Sequence, residues 1–153
     1  MSDLQQNNLN FFNTEQNKYI YYIMGLSLAA IGFTVAYTKD LNILSFTQIP
    51  LFMAVLSWCF SIICGTEFIK YKQSTLHDQN DIFNMQNGNR DKITKLEKSK
   101  GLTDAEITKL IINNIELKGE KMSKYGSYTK ILLILGCGLF ICWRLIEMII
   151  NTI

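Results

Sequence analysis

The chain has 153 residues, of which 48% are hydrophobic and only 18% are charged, and its formal net charge is +2. These proportions are unusual for one compact soluble domain, and the hydrophobic residues are concentrated in blocks. Composition therefore disfavours an ordinary soluble domain and favours a membrane protein.

Three hydrophobic blocks are each about as long as a membrane-spanning helix. Tyr19–Thr38 contains no charge, Ile49–Phe68 contains one, and Ile131–Ile150 contains two. Because a helix rises ~1.5 Å per residue, roughly twenty residues cross a ~30 Å hydrocarbon core. Three buried helices of a soluble bundle are the alternative, but the first two blocks lack the polar face that such helices show. The sequence thus predicts an all-α integral membrane protein with three transmembrane helices.

The spans divide the chain into four predicted segments. These are a polar N-terminal segment at 1–18, a transmembrane hairpin at 19–69, a small helical region at 70–129 and the third transmembrane helix at 130–153. From Lys70 to Lys130 there are twelve basic and eight acidic residues, whereas the hairpin loop has one of each. The positive-inside rule therefore predicts that the N-terminus and residues 70–129 are cytoplasmic, in a bacterial inner membrane.

The region between spans two and three shows helical patterns and no strand alternation. Ile69, Leu76 and Phe83 recur at heptad spacing, which indicates a helix–helix contact. Gly119 and Gly126 are expected to break the helix before span three.

Small residues inside the first two spans recur every four positions. Such spacing lets helix backbones approach closely in lipid, within one subunit or between subunits. The predicted helix-packing residues are Gly25, Ala29, Gly32 and Ala36 in span one and Ser57, Ser61 and Gly65 in span two.

Two hydroxyl residues of span one, Ser27 and Thr34, lie seven positions apart on one helix face. Such hydroxyls usually bond to carbonyls of their own helix, and otherwise they can line a water-filled pore. Both interpretations remain open from the sequence.

Arg144 and Glu147 are opposite charges inside the third block, three residues apart and therefore on one helix face. Three interpretations fit. Arg144 extends to the outer interface beside Trp143, or the pair bridges helices or subunits, or it lines a pore. Only thirteen residues separate Lys130 from Arg144. The two cations therefore fit poorly at the opposite membrane boundaries of one span. This argument favours an intersubunit or pore-lining pair.

A short basic helix is predicted at Asp91–Gly101, and its cations recur every three residues. If the protein binds an anionic ligand, such as a nucleotide or oligonucleotide signal, this face is the candidate site, because phosphates require clustered cations. The alternative is ordinary positive-inside charge meeting anionic lipid. The residues are Arg90, Lys92, Lys95, Lys98 and Lys100.

The sequence contains no recognisable catalytic or metal-binding motif. His77 has Asp78 and Asp81 nearby, but one histidine with two acids is usually a solvated helix face. We therefore expect no enzymatic activity, no metal, no cofactor and no duplex nucleic acid as partner.

A tight hairpin of two spans whose second helix continues into a helical cytoplasmic region resembles small membrane effectors of bacterial anti-phage systems. SLATT-type proteins and the membrane partner of Hailong-type systems have this arrangement, although SLATT-type proteins have only two spans. The resemblance implies a membrane protein that depolarises the cell in response to a nucleotide signal. It supports a homo-oligomeric, ion-conducting pore in contact with membrane lipid and gated from the cytoplasm. The alternatives are a non-conducting membrane adaptor for a soluble partner and a holin-like lysis protein.

Overall fold

A computed structural model of the chain describes residues 3–38, 46–86 and 104–150, with the side chains of 14–38, 47–85 and 105–150. The regular structure in these ranges is helical. Helix α1 spans Asp3–Tyr37, a short 3-10 turn spans Phe46–Gln48, α2 spans Ile49–Gln86 and α3 spans Asp104–Ile150. The predicted helical fold class is thus confirmed.

Each of the three helices is long and apolar enough to cross a membrane. Their formation follows from the sequence, since the hydrophobic blocks contain few breaking residues. The single proline, Pro50, lies in the first turn of α2, where its missing N–H leaves no hydrogen bond unmade. Three apolar helices of this length are consistent with a membrane protein.

Helix α3 is continuous over 47 residues and passes through both Gly119 and Gly126. The predicted breaks at these glycines are therefore wrong. Each glycine costs about 1 kcal/mol relative to alanine in a helix interior, a penalty that side-chain packing readily offsets. Gly126 is buried, which indicates that its backbone is packed against neighbouring residues.

The chain forms two compact units, one from Met1–Thr66 with Tyr125–Ile153 and the other from Glu67–Lys124. We call them the three-helix unit and the two-helix unit. Their boundaries fall a few residues before the predicted segment boundaries at 69/70 and 129/130.

The described part of the three-helix unit exposes large apolar side chains on its outside. Its buried residues include Ile23, Ala54 and Trp58, whereas Phe33 is 60% exposed and Ile134 is 71% exposed. Large exposed apolar side chains in such number are unfavourable in water and are normal in lipid.

The two-helix unit pairs the second half of α2 with the first half of α3. Met85 contacts Thr108, and Lys118 forms an ion pair with Asp78. Because positions on α3 rise as those on α2 fall, the two helices are antiparallel. Ile107 and Ile111 are buried, at 6% and 2% exposed, and form the core of this unit.

Two residues of the predicted heptad contact lie on the outer surface of the two-helix unit. Leu76 is 45% exposed and Phe83 is 56% exposed. The heptad spacing therefore does not mark a tight contact within the protomer.

Candidate functional site

The small residues predicted on α2 lie inside the three-helix unit. Ser57 donates a hydrogen bond of 2.7 Å to the carbonyl oxygen of Leu132, and Ser61 donates one of 2.8 Å to that of Thr129. Both acceptors belong to α3, so two serine hydroxyls join α2 to the third span. Gly65 continues this face and is buried, and a Cβ placed there would lie 2.7 Å from the side chain of Met24 on α1.

The two hydroxyls predicted to be pore-facing are buried in the same unit, at 0% exposed for Ser27 and 2% for Thr34. Ser27 donates to the carbonyl of Ile23 at 3.0 Å and lies 3.3 Å from the hydroxyl of Ser61. Thr34 donates to the carbonyl of Ala30 at 2.8 Å. Both side chains therefore bond within their own helix, and Ser27 also connects α1 to the serines of α2.

The small residues predicted on α1 have a different environment. All four are exposed, and a Cβ placed on either glycine would find no atom within 4 Å. At 100° per residue they fall within about 60° of the helix circumference, roughly opposite the buried face that carries Ile23 and Ser27. We call this strip the outer α1 face. Its members are Gly25, Ala29, Gly32 and Ala36.

One close helix contact was not predicted from the sequence. Trp58 on α2 packs closely against α3 at Gly136, where an added Cβ would clash with the indole nitrogen. Trp58 is 2% exposed and its Nε1 has no hydrogen-bond partner. A glycine within an apolar span was the available signal, but it does not say which large side chain approaches.

Trp143, the neighbour of Arg144, is 0% exposed and packs inside the three-helix unit. The centroid of its ring lies 5.5 Å from that of the Phe140 ring and 6.3 Å from that of the Tyr37 ring. Successive side chains of a helix point in directions about 100° apart, so Trp143 points inward on α3 and its neighbour Arg144 points outward.

Arg144 and Glu147 form a local ion pair, with Nη1 and Oε2 2.6 Å apart. The Arg144 guanidinium also stacks 5.0 Å over the ring of Tyr37 on α1. At the other end of the unit, the Lys130 ammonium lies 5.0 Å over the ring of Tyr19. Each cation of the third span thus contacts a tyrosine at one end of the first span.

This arrangement explains how cations with only thirteen residues between them can occupy opposite ends. Lys130 and Arg144 are roughly 21 Å apart along a helix, whereas Tyr19 and Tyr37 are roughly 27 Å apart. Long cationic side chains can extend away from the apolar centre at both ends. If the three helices cross a membrane, such extended side chains would bring the charges close to the boundaries of a ~30 Å hydrocarbon core.

A crevice of about 280 Å³ opens between α1 and α3 at the level of Trp58. Its walls are almost entirely apolar. They are formed by Ala30, Phe33 and Thr34 of α1, Trp58 of α2, and Cys137, Phe140 and Ile141 of α3.

In the two-helix unit, charged side chains connect the helices. The Lys118–Asp78 pair is half-enclosed, with side-chain exposures of 24% and 21%. Lys121 stacks 5.6 Å over the ring of Tyr71. Lys72 is 4% exposed and lies beyond the predicted second span, where burial lowers the pKa of its ammonium group.

The predicted anion-binding face, from Arg90 to Lys100, lies outside the described residues. Among the residues that are described, no cluster of three or more His, Cys, Asp or Glu could hold a metal ion. No protein-family model, curated protein or solved structure matches the chain.

Proposed function

We propose that this protein is a homo-oligomeric effector of the bacterial inner membrane that forms an ion-conducting pore between its subunits. The N-terminus and residues 70–129 would be cytoplasmic, as their charge predicts. Gating would start from that side, because α2 and α3 each contribute residues to both compact units.

The observation that carries the oligomer is the position of the outer α1 face. Of the two small-residue strips, the one on α2 is occupied within the protomer and the one on α1 is exposed. Glycine and alanine at such spacing favour close helix association in lipid, where van der Waals packing replaces the hydrophobic effect. A second copy of the chain is the partner that would cover this face in a homo-oligomer.

The position of the pore follows from the interior of the protomer. Ser27, Ser61 and Thr129 are each 0% exposed and are hydrogen-bonded. Buried hydroxyls whose hydrogen bonds are made within the protomer, mostly to backbone carbonyls, leave no water-filled path among themselves. A conducting path would therefore run between protomers rather than through one.

The trigger would be a nucleotide or oligonucleotide signal that reaches the cytoplasmic side. This part of the proposal rests on the resemblance to SLATT-type and Hailong-type effectors and on the basic residues between Arg90 and Lys100. Anti-phage defence, through loss of the membrane potential, is the role that this resemblance supports.

The experiment compares the double variant Gly25→Leu/Gly32→Leu with Gly138→Leu. All three glycines are exposed and have open space around them, so leucine should be accommodated in the protomer. We expect the double variant to lose the oligomer, measured as mass in detergent by light scattering, and to stop depolarising cells. Gly138→Leu should keep both properties. A wild-type protein that is monomeric, or liposomes that pass no ions with any candidate trigger, would contradict the proposal.

A membrane adaptor is the second candidate, and the exposed apolar side chains of the two-helix unit favour it. Leu76, Phe83 and Ile112 are 45%, 56% and 47% exposed. A soluble partner could cover them in the cytoplasm. An adaptor would be a monomer that becomes ordered only when its partner protein is co-expressed. The same light-scattering measurement distinguishes such a monomer from a symmetric homo-oligomer.

A further inference from the structure

The crevice between α1 and α3 and the ion pair of α3 lie next to each other along the helices. Phe33 and Ile141 line the crevice. Tyr37 follows Phe33 by four residues and Arg144 follows Ile141 by three, so each lies about one helical turn further toward the same end. The apolar crevice is thus followed directly, along the helices, by a pair of opposite charges.

The ion pair keeps hydrogen-bonding capacity. Only one nitrogen of Arg144, Nη1, is bonded to Glu147, and the guanidinium group has five N–H donors in all. The Arg144 side chain is 45% exposed and that of Glu147 is 18% exposed. An approaching ligand can therefore contact a cation and an anion at once.

We propose that this is a site for one phospholipid with an ethanolamine headgroup. One of its two acyl chains would lie in the crevice against Phe33 and Trp58, and its phosphate would accept hydrogen bonds from Arg144. Its primary ammonium group would donate to the carboxylate of Glu147. The argument is charge complementarity, because a zwitterionic headgroup matches a side-by-side cation and anion, whereas a glycerol headgroup offers the carboxylate no positive charge.

The site gives the ion pair a role other than lining a pore or bridging subunits. The inference rests on the membrane insertion that the proposed function includes, and it does not depend on conduction. It extends that function by naming a lipid class that would be bound at the outer end of each protomer.

The chain contains two tryptophans, so Trp143→Phe leaves Trp58, a wall of the crevice, as the only indole reporter. The protein is placed in vesicles of equal parts ethanolamine and glycerol phospholipid, in which one or the other carries bromine on its acyl chains. Bromine quenches tryptophan fluorescence on close approach. We expect the brominated ethanolamine lipid to associate more strongly by a factor of about 1.4 to 5, the range for one exposed charge pair.

Three variants in the Trp143→Phe background test the headgroup contacts. Glu147→Gln should bring the two lipids to equal quenching, and Arg144→Gln should weaken quenching by both. Lys130→Gln is the matched control, because it removes a cation that also stacks on a tyrosine but at the other end of the unit. It should keep the preference.

Equal quenching by the two lipids, or a preference that survives Glu147→Gln, would overturn the lipid site and leave insertion and oligomerisation standing. Absence of quenching by either lipid would also overturn the site, because Trp58 is 2% exposed and lines the crevice that the acyl chain would occupy. Native mass spectrometry of the unsubstituted protein with the same two lipids gives the comparison without Trp143→Phe. Selective retention of the ethanolamine lipid is expected there, and equal retention would refute the site.

Discussion

Gly136→Ala should destabilise the three-helix unit by forcing α2 and α3 apart. The added Cβ would lie less than 3.0 Å from three atoms of the Trp58 ring, its Nε1, Cδ1 and Cε2. Since unbonded carbon atoms normally approach to about 3.5–4.0 Å, the ring or the helix must move by roughly an ångström. Trp58 is 2% exposed, so the rigid ring has little space into which it can move.

The change in stability caused by Gly136→Ala follows from two opposing effects. Overpacking a well-packed core costs about 1–3 kcal/mol, whereas replacing glycine by alanine within a helix gains up to about 1 kcal/mol. Gly138→Ala is the matched control, because it has the same helix-propensity gain and no atom within 4 Å of the added Cβ. Subtracting the control isolates the clash, so we expect Gly136→Ala to be less stable than Gly138→Ala by about 1–3 kcal/mol.

The assay is reversible unfolding in mixed micelles with an increasing fraction of sodium dodecyl sulfate, followed by helical circular dichroism. Trp58→Phe provides a further test, because a smaller ring should relieve part of the clash. The double variant with Gly136→Ala should then show a favourable coupling energy. Equal stability of Gly136→Ala and Gly138→Ala, or a difference that Trp58→Phe leaves unchanged, would refute this account of the α2–α3 contact.

Ser61→Ala should cost about 0.5–1.5 kcal/mol in the same unfolding assay, since it removes a buried hydrogen bond between helices. Thr66→Ala is its control, because the Thr66 hydroxyl is exposed and bonds to its own helix. An equal loss of stability in the two variants would argue against the interhelical bond of Ser61. Asp78→Lys should loosen the two-helix unit by placing two cations together, and Asp78→Lys with Lys118→Asp should restore it. Hydrogen exchange of residues 67–86 and 104–124 measures the effect, and unchanged protection in the single variant would contradict a stabilising ion pair. Tyr37→Leu should weaken the contact with Arg144 by about 0.5–1 kcal/mol, the value for an exposed cation–aromatic pair, whereas Tyr37→Phe should keep it; equal stability of the two in the micelle assay would exclude that contribution.

The presence and type of the elements could be predicted from local sequence. Twenty apolar residues in a row have the length that a membrane requires, whatever their partners, and Pro50 indicates where the second helix can begin. The breaks expected at Gly119 and Gly126 were wrong because a glycine lowers helix stability only slightly. Surrounding contacts can offset that loss.

The face that each span presents to its neighbours was decided by tertiary structure alone. Gly25 and Ser61 belong to strips with the same spacing, yet one strip is exposed and the other is buried against α3. Likewise, Trp143 and Arg144 are adjacent in sequence and point in opposite directions. In a soluble helix, the polar face would have marked the outside. The hydrophobic blocks of this chain are apolar on every side, so hydropathy does not distinguish inside from outside, and only the shapes of the packed helices do.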